Sequence, residues 1–150
     1  MKKFEFSVEK LRRYQQQKLR LAELEIQRAR MVLDQSISQL ELLQVRFDDV
    51  ARCCREDMER EQNLTHACQD VLQQLQIEIQ VADEAVKENH VKWQQIAQLG
   101  TLERIKSESY EVLRETEKTA HETEVAKTEM NELSETIMRT WSEKQGGGEL

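Results

Sequence analysis

The 150-residue chain contains no proline and only four glycines, three of which stand together at positions 146–148. Its residues are 38% hydrophobic and 34% charged, with a net charge of −7. Sheets, barrels and nucleotide-binding α/β folds need many turns, so this composition argues against them and predicts long helices. We expect a coiled coil that acts by contact and is not an enzyme. The negative charge argues against nucleic-acid binding.

The first predicted helix, about 7–56, carries a heptad seam, meaning the stripe of positions that faces a partner helix. Ser7 is an acceptable N-cap for it. From residue 19 the seam alternates steps of three and four residues, the spacing of a left-handed supercoil. Only Ser36 interrupts its apolar character, and Phe4, Val8, Leu11 and Gln15 extend it weakly towards the N-terminus. The seam consists of Leu19, Ala22, Ile26, Ala29, Leu33, Ser36, Leu40, Leu43, Phe47, Val50 and Cys54.

Residues 55–63 are nearly all polar, which predicts a turn at about 57–65 and a second helix at about 66–141. The predicted seam of this helix starts with Leu64, Cys68, Val71, Leu75, Ile79, Ala82, Val86, Trp93 and Ile96. Two consecutive steps of four residues, 71 to 75 to 79, predict local unwinding of the supercoil. Gly100 indicates either a bend or a thinner helix surface. The seam then continues weakly through Leu102, Ile105, Val112, Thr116, Ala120, Thr123, Met130, Leu133, Ile137 and Trp141.

Two such helices joined by a short turn predict an all-α fold, a long two-helix antiparallel coiled-coil hairpin forming one domain over residues 1–141, with a disordered tail at 142–150. Residues 1–30 hold nine Lys and Arg against four Glu, a net charge of +5, and residues 101–150 hold seven against twelve Glu, a net charge of −5. Folding back brings these opposite charges together. The sequence has no run of 18 apolar residues, so we expect a cytoplasmic protein without direct membrane insertion.

The sequence predicts no catalytic residues, no metal site and no cofactor. Cys53 and Cys54 would point about 100° apart on a helix, and the C-x-x-C spacing of zinc sites is absent around them and Cys68. We expect these cysteines to be small, reduced apolar residues. Glycine-rich phosphate loops are also absent, so the chain itself is not expected to bind ATP.

Several apolar residues of the first helix lie away from the seam, on the side that would face water. They are Leu21, Leu24, Met31, Leu42 and Val45. Two pairs of leucine or valine on one outer stripe favour a partner-binding surface. The alternatives are scattered surface residues or the contact of a homo-oligomer.

The chain resembles the family of the flagellar export protein FliJ along almost its whole length. The resemblance lies in Phe4-x-Phe6-Ser7-x-x-x-Leu11-Arg12, in Ala22-Glu23 and in the central Val71-Leu72-x-x-Leu75-x-x-x-Ile79. It continues in Leu102-Glu103-Arg104-Ile105-Lys106 and in the Glu- and Thr-rich stretch 115–135. This chain departs from the family in a more acidic C-terminal helix and in cysteines near the turn.

The resemblance implies a non-enzymatic part of the cytoplasmic type III export apparatus, located at the inner membrane at the flagellar base. Such proteins resemble the central stalk of rotary ATPases. The paired termini are implied to enter the pore of a hexameric export ATPase ring and promote its assembly. The turn-side half is implied to contact the cytoplasmic domain of the export gate protein and to handle export chaperones.

Helical-wheel positions suggest which residues make these contacts. For the export gate they suggest Leu42, Val45 and Leu72, and for the ATPase ring Lys2, Lys3, Arg12, Arg13, Ile137 and Trp141. Three other functions compete with this interpretation: the stalk protein of a virulence type III secretion system, a homodimeric structural scaffold, and a holdase chaperone for export substrates.

Overall fold

A computed structural model describes residues 3–60 and 65–147, which form two α-helices. Helix α1 spans Glu9–Arg60 and helix α2 spans Thr65–Gly146. The described residues contain no strand. The predicted class, all-α with two long antiparallel helices, is confirmed.

Both helices are longer than the sequence predicted. Residues 57–60 of the predicted turn belong to α1, and residues 142–146 of the predicted tail belong to α2. The physical reason is that Arg, Glu and Lys are good helix formers, so losing the apolar stripe ends the seam without ending the helix. Residues 61–64, including the predicted seam residue Leu64, lie outside the described residues, as do Met1, Lys2 and 148–150.

The contacts divide the chain into two compact units. The central unit is Lys18–Arg104, and the terminal unit combines Met1–Gln17 with Ile105–Leu150. Each unit contains part of α1 and part of α2, because the boundaries fall inside the helices. Within each unit, the α1 and α2 segments are held against each other by a different kind of contact.

In the central unit α1 and α2 run antiparallel. The Arg30 guanidinium lies 5.1 Å from the centre of the Trp93 ring. Further along α1, Asn89 Nδ2 donates a hydrogen bond of 2.6 Å to Ser36 Oγ. Residues further along α1 therefore contact residues earlier in α2, as expected for antiparallel helices.

The predicted seam of α1 is confirmed from Leu19 to Cys54, since every one of its residues is buried or half-buried. Leu33 is the most buried, with 1% of its surface exposed. The polar interruption at Ser36 is explained by Asn89, which the predicted α2 seam omitted. Asn89 is half-buried and fills the seam position between Val86 and Trp93.

The predicted unwinding in α2 is wrong. Val71 is 48% exposed, whereas its neighbour Leu72 is half-buried and takes the seam position. With Leu72 in place, the steps from Cys68 to Leu75 and Ile79 alternate four, three and four. Two adjacent apolar residues satisfy an apolar pattern equally well, and only the alternation of the supercoil distinguishes them.

Gly100 thins the surface of α2, which was one of the two roles that the sequence suggested. It is buried, and α2 continues through it as regular helix. A Cβ atom at this position would overlap Ile26 Cδ1 and lie 3.4 Å from Ile26 Cγ1. The absent side chain of Gly100 makes room for Ile26.

In the terminal unit the predicted seam of α2 is wrong. Ile105 and Val112 are 54% and 67% exposed, and the predicted seam residues of α2 from 116 to 141 are exposed as well. The same holds for Leu102, the last predicted seam residue of the central unit. The residues that are buried or half-buried are mostly polar: Ser107, Tyr110, Glu111, Arg114, Glu117, His121 and Val125.

Polar contacts hold the start of α1 against α2 within this unit. Arg12 Nη1 lies 2.6 Å from Glu111 Oε1, and its Nη2 lies 2.7 Å from Glu9 Oε1. The Arg12 side chain is only 15% exposed, whereas the predicted seam residue Leu11 is 51% exposed. The expectation that the basic start meets the acidic end of the chain is confirmed by the contact of Arg12 with Glu111.

Ser7 is not the N-cap of α1, contrary to the prediction. Its hydroxyl donates a hydrogen bond of 2.9 Å to Glu117 Oε1. The first helical turn is closed by Arg12 N donating to Val8 O at 2.9 Å, so α1 begins after Ser7. Nearby, the ring of Phe4 lies 5.6 Å from that of His121. Ser7 therefore links the two helices instead of capping one.

The ion pairs shift the pKa of Glu9. Hydrogen bonds donated by Arg12, and secondarily by Arg13, lower the pKa of the Glu9 carboxyl to about 2 against the effect of desolvation. The same contacts, with Glu9 first and Glu111 second, raise the pKa of Arg12 above its ordinary value. Glu9 therefore stays ionised in the folded protein well below the pH at which an ordinary glutamate takes up a proton.

No helix among the described residues is long and apolar enough to cross a membrane.

The packing of Ile26 on Gly100 predicts a non-additive pair of substitutions. Ile26→Val alone should destabilise by about 0.5–1.5 kcal/mol. Gly100→Ala gains up to about 1 kcal/mol of helix propensity but forces Ile26 Cδ1 to move. Because Ile26→Val deletes that atom, the double variant should be more stable than the sum of the single effects by about 0.5 kcal/mol or more. Chemical denaturation gives the free energy of unfolding of the natural protein, the two single variants and the double variant.

The matched control for this cycle is Ile79→Val, another seam isoleucine of the central unit. When Ile79→Val is combined with Gly100→Ala, the change in the free energy of unfolding should equal the sum of the two single changes within about 0.5 kcal/mol. Simple additivity of Ile26→Val and Gly100→Ala would contradict the packing described.

The lowered pKa of Glu9 predicts a pH-dependent contribution to stability. A carboxyl whose pKa is lower in the folded state stabilises the folded protein at pH values above its unfolded-state pKa, here 4.5. This stabilisation is lost as the pH falls towards the folded-state pKa of about 2. Thermal melting followed by circular dichroism should show a higher Tm for the natural protein than for Glu9→Gln near neutral pH. That difference should shrink from pH 4.5 downwards and vanish below 2. A pH-independent difference, or an equal one for the control Glu5→Gln, would refute the role of the Glu9 ion pairs.

Candidate partner-binding surfaces

The outer face of α1 in the central unit carries an exposed apolar stripe, as the sequence predicted. Leu24 is the least exposed of its members, at 48%, and Leu42 is the most exposed, at 69%. The positions repeat at heptad spacing on the side of α1 opposite the seam, and the stripe consists of Leu21, Leu24, Met31, Leu42 and Val45. Apolar groups repeated on one face offer a contact surface for another protein.

The three residues predicted for the export gate do not share one face. Leu42 and Val45 are 69% and 58% exposed, one turn apart on α1, with Glu41 and Arg46 beside them. Leu72 is half-buried in the seam of α2. A partner that covered the α1 pair would bury apolar area worth about 1.5–3 kcal/mol for each side chain fully removed from water. For Leu72, much of that burial already takes place within the chain.

Sequence reasoning missed a set of exposed apolar residues on α2 in the central unit. Their exposure runs from 51% for Val91 to 62% for Leu99, and the set comprises Ile77, Val81, Val91, Leu99 and Leu102. A helical wheel of α2 drawn on the true seam, through Leu72 and Asn89, places all of them except Leu99 on its outer side, and Leu99 flanks the seam. The spacing of these apolar residues was visible in the sequence, but it could be recognised as an outer face only after the seam of α2 was assigned correctly.

The basic residues predicted for the ATPase ring differ in their surroundings. Arg12 is already engaged by Glu9 and Glu111. The Arg13 side chain is 74% exposed and pairs with Glu9 at 3.2 Å, a surface contact worth only about 0.2–1 kcal/mol. Lys3 is exposed, and Lys2 lies outside the described residues. Arg13 and Lys3 therefore present positive charge to solvent, whereas the charge of Arg12 serves the fold.

The last turns of α2 carry a second apolar stripe, here called the C-terminal stripe. Every described residue from 126 to 147 is exposed. The stripe consists of Met130, Leu133, Ile137, Met138 and Trp141, with exposures from 60% to 74%. It includes Ile137 and Trp141, which were predicted to contact the ATPase ring. The spacing of three, four, one and three residues keeps these side chains on one side of the helix.

Three threonines around the C-terminal stripe hydrogen-bond within the helix. Thr136 and Thr140 donate hydrogen bonds of 2.8 Å to the carbonyl oxygens four residues earlier, and Thr128 does so at 3.0 Å. The described residues contain no group of three or more His, Cys, Asp or Glu placed to hold a metal ion. An exposed apolar face on a helix suits docking into a hydrophobic groove.

Comparison with known proteins identifies the family. Residues 4–146 match the family described as "Flagellar FliJ protein". No curated protein and no solved structure matches the chain. Because the family match covers nearly all of the sequence, the chain belongs to the FliJ family and is a flagellar export-related protein.

Proposed function

We propose that this chain is a non-enzymatic, central-stalk-like component of the cytoplasmic flagellar type III export apparatus. Its terminal unit contacts the hexameric export ATPase through Lys2, Lys3, Arg12, Arg13, Ile137 and Trp141. Its central unit contacts the cytoplasmic domain of the export gate protein through Leu42, Val45 and Leu72, and the protein supports export chaperones and their cargo at the flagellar base.

The C-terminal stripe is the observation that carries the ATPase contact. Its five apolar side chains are at least 60% exposed. They form an apolar surface in a chain of which 34% of the residues are charged. Phe4, near the start of the described chain, lies against His121, and every residue of α2 from 126 to 146 is exposed. A hydrophobic surface left open on a helix favours a partner that supplies the missing burial. The exposed Arg13 and Lys3 add positive charge to the same unit.

The gate contact rests on Leu42 and Val45. They form an exposed apolar pair, and the charged Glu41 and Arg46 beside them resemble the polar rim of a binding hot spot. Leu72 stays in this proposal with a second role in packing, because it occupies a seam position. A substitution of Leu72 would therefore test stability and binding at the same time.

The flagellar family match favours the flagellar apparatus over a virulence secretion system. A homodimeric scaffold would use the same exposed stripes to bind a second copy, and light scattering would then give twice the mass of one chain. A holdase chaperone would bind many unfolded substrates, and this binding would survive loss of Leu42 and Val45.

Two charged substitutions on the C-terminal stripe should weaken stimulation of the partner ATPase. Ile137→Asp with Trp141→Asp places two carboxylates where apolar contacts would form. A hot-spot residue typically contributes about 2 kcal/mol or more. The concentration for half-maximal stimulation of ATP hydrolysis should therefore rise at least about tenfold. Deletion of residues 136–150 should have the same or a larger effect.

The control is Thr128→Asp with Ser142→Asp, which adds the same charge at two exposed positions of the same helix outside the C-terminal stripe. These residues are exposed, and this pair should leave stimulation within about twofold. Helicity of both double variants is measured by circular dichroism. Unchanged ATPase stimulation by the Ile137 and Trp141 variant would remove the C-terminal stripe from the ATPase contact.

Substitution of the exposed α1 pair should abolish gate binding without unfolding the protein. Leu42→Asp with Val45→Asp should leave helicity and Tm nearly unchanged because both side chains already face water. The affinity for the purified cytoplasmic domain of the gate, measured by calorimetry, should fall by at least about tenfold.

The control for gate binding is Gln39→Asp with Gln44→Asp, two exposed positions on the flanks of the same helix. It should bind like the natural protein. Helix melting by the Leu42 and Val45 variant would show that these residues belong to the core, and normal binding by that variant would reject the proposed gate surface.

A further inference from the structure

A second heptad pattern runs along an exposed face of α2 in the terminal unit. Starting at Ile105, steps of four and three residues alternate strictly and end at Ile137, which is the spacing of a coiled-coil seam. We call the positions reached by these steps the outer seam. Every one of them is exposed, so contact with α1 does not account for the pattern.

The outer seam is apolar at both ends and polar but satisfied in the middle. Its large apolar side chains are 54% exposed at Ile105 and 70% exposed at Met130, the two extremes. The polar side chains are Ser109, Thr116, Thr119 and Thr123, and each donates a hydrogen bond of 2.9 Å to the carbonyl oxygen four residues earlier. Covering this face would therefore leave none of these hydroxyl donors unsatisfied.

One flank of the outer seam carries a row of glutamates. Glu108, Glu115, Glu122 and Glu129 recur every seven residues, and all four are exposed. Each stands directly before a seam position of the same type, which makes it the g position of a heptad. Among the described residues, none of these four carboxylates takes part in an ion pair.

This charge pattern disfavours a second copy of the chain as the occupant. In an antiparallel pair of outer seams the g positions face each other, so glutamate would face glutamate, which is repulsive. In a parallel pair each g position faces the e position five residues later, and only Glu122 would then meet a lysine, Lys127. A helix with Lys or Arg at the facing positions would instead pair with the whole row.

We propose that the outer seam forms a coiled coil with a basic amphipathic helix of another protein. That helix has apolar residues at alternating steps of three and four, and Lys or Arg at heptad spacing opposite the glutamate row. The inference rests on the proposed function only where the outer seam shares Met130, Leu133 and Ile137 with the C-terminal stripe. Between residues 105 and 126 it defines a contact that the proposed function does not include.

The experiment measures binding of synthetic peptides to the purified full chain by calorimetry. The probe is a heptad peptide as long as the outer seam, with leucine at its seam positions and lysine on both flanks. One control peptide carries glutamate on its flanks, and another scrambles the lysine peptide so that composition and charge stay but the heptad is lost. The lysine peptide should bind at least about tenfold more tightly than either control, and added salt should weaken it.

Reversing the glutamate row should reverse the preference. Glu115→Lys, Glu122→Lys and Glu129→Lys together should weaken binding of the lysine peptide by at least about tenfold and strengthen binding of the glutamate peptide. Circular dichroism checks that the variant stays helical, and if it does not, the three peptides compared on the natural protein decide the matter.

The matched control makes the same change of charge at three exposed glutamates of α2 away from both flanks of the outer seam. Glu124→Lys, Glu132→Lys and Glu135→Lys together should bind the lysine peptide within about threefold of the natural protein. Equal losses in both triple variants, or equal binding of the scrambled peptide, would reduce the contact to general charge attraction and overturn the proposal.

Two further measurements separate this inference from its competitors. A doubled mass in light scattering that the Glu115, Glu122 and Glu129 variant abolishes would make a second copy the occupant and overturn the proposal. Stimulation of the partner ATPase is measured on the natural protein and on the Ile137 and Trp141 variant described above. Failed peptide binding beside the expected ATPase results would reject the outer seam alone, whereas tight peptide binding beside unchanged ATPase stimulation would reject only the ATPase contact.

Discussion

The antiparallel register of α1 and α2 in the central unit depends on one polar pair inside an apolar seam. Ser36 accepts a hydrogen bond from Asn89 and donates one of 2.9 Å to the carbonyl oxygen of Val32. Sliding one helix by a heptad would leave both polar side chains against apolar neighbours, at a cost of about 1–3 kcal/mol for each unsatisfied group. Leucine and isoleucine contacts tolerate such a shift far better. A polar pair in a coiled-coil seam therefore contributes specificity more than stability.

Gly100 and Ile26 restrict the same register by shape. A side chain opposite Ile26 would overlap its terminal methyl group, so α2 can present only its single mid-helix glycine there. The glycine weakens the isolated helix by roughly 1 kcal/mol, and close packing offsets that loss. Hydrogen bonding and shape thus select one alignment, and this alignment brings Arg30 over Trp93.

The sequence was sufficient to predict the fold class and the seam of α1, because a long apolar heptad interrupted only at Ser36 has one interpretation. It was not sufficient for α2, where apolar residues occupy two faces and the inward-facing positions include Asn89 and Ser107. A polar side chain on a seam is invisible to an apolar pattern. The same limit applies to the candidate sites: the exposure of Leu42 and Val45 followed from the α1 wheel. The engagement of Arg12 and the packing of Leu72 required knowledge of which residues lie opposite.

The terminal unit reverses the usual arrangement of a coiled coil, and this bears on how α2 can act. Its inward face includes polar contacts between the helices, such as the ion pair of Arg12 with Glu111. Most of its large apolar residues from Ile105 to Trp141 face outwards instead, with Val125 half-buried. Helical segments in water depend largely on packing of an apolar face for their stability. Between residues 126 and 147 the described chain provides no such packing, so an outside surface that covered the C-terminal stripe would strengthen the helix as it bound. Binding and helix stabilisation would then be a single process, in which the apolar face of α2 completes its core with another molecule.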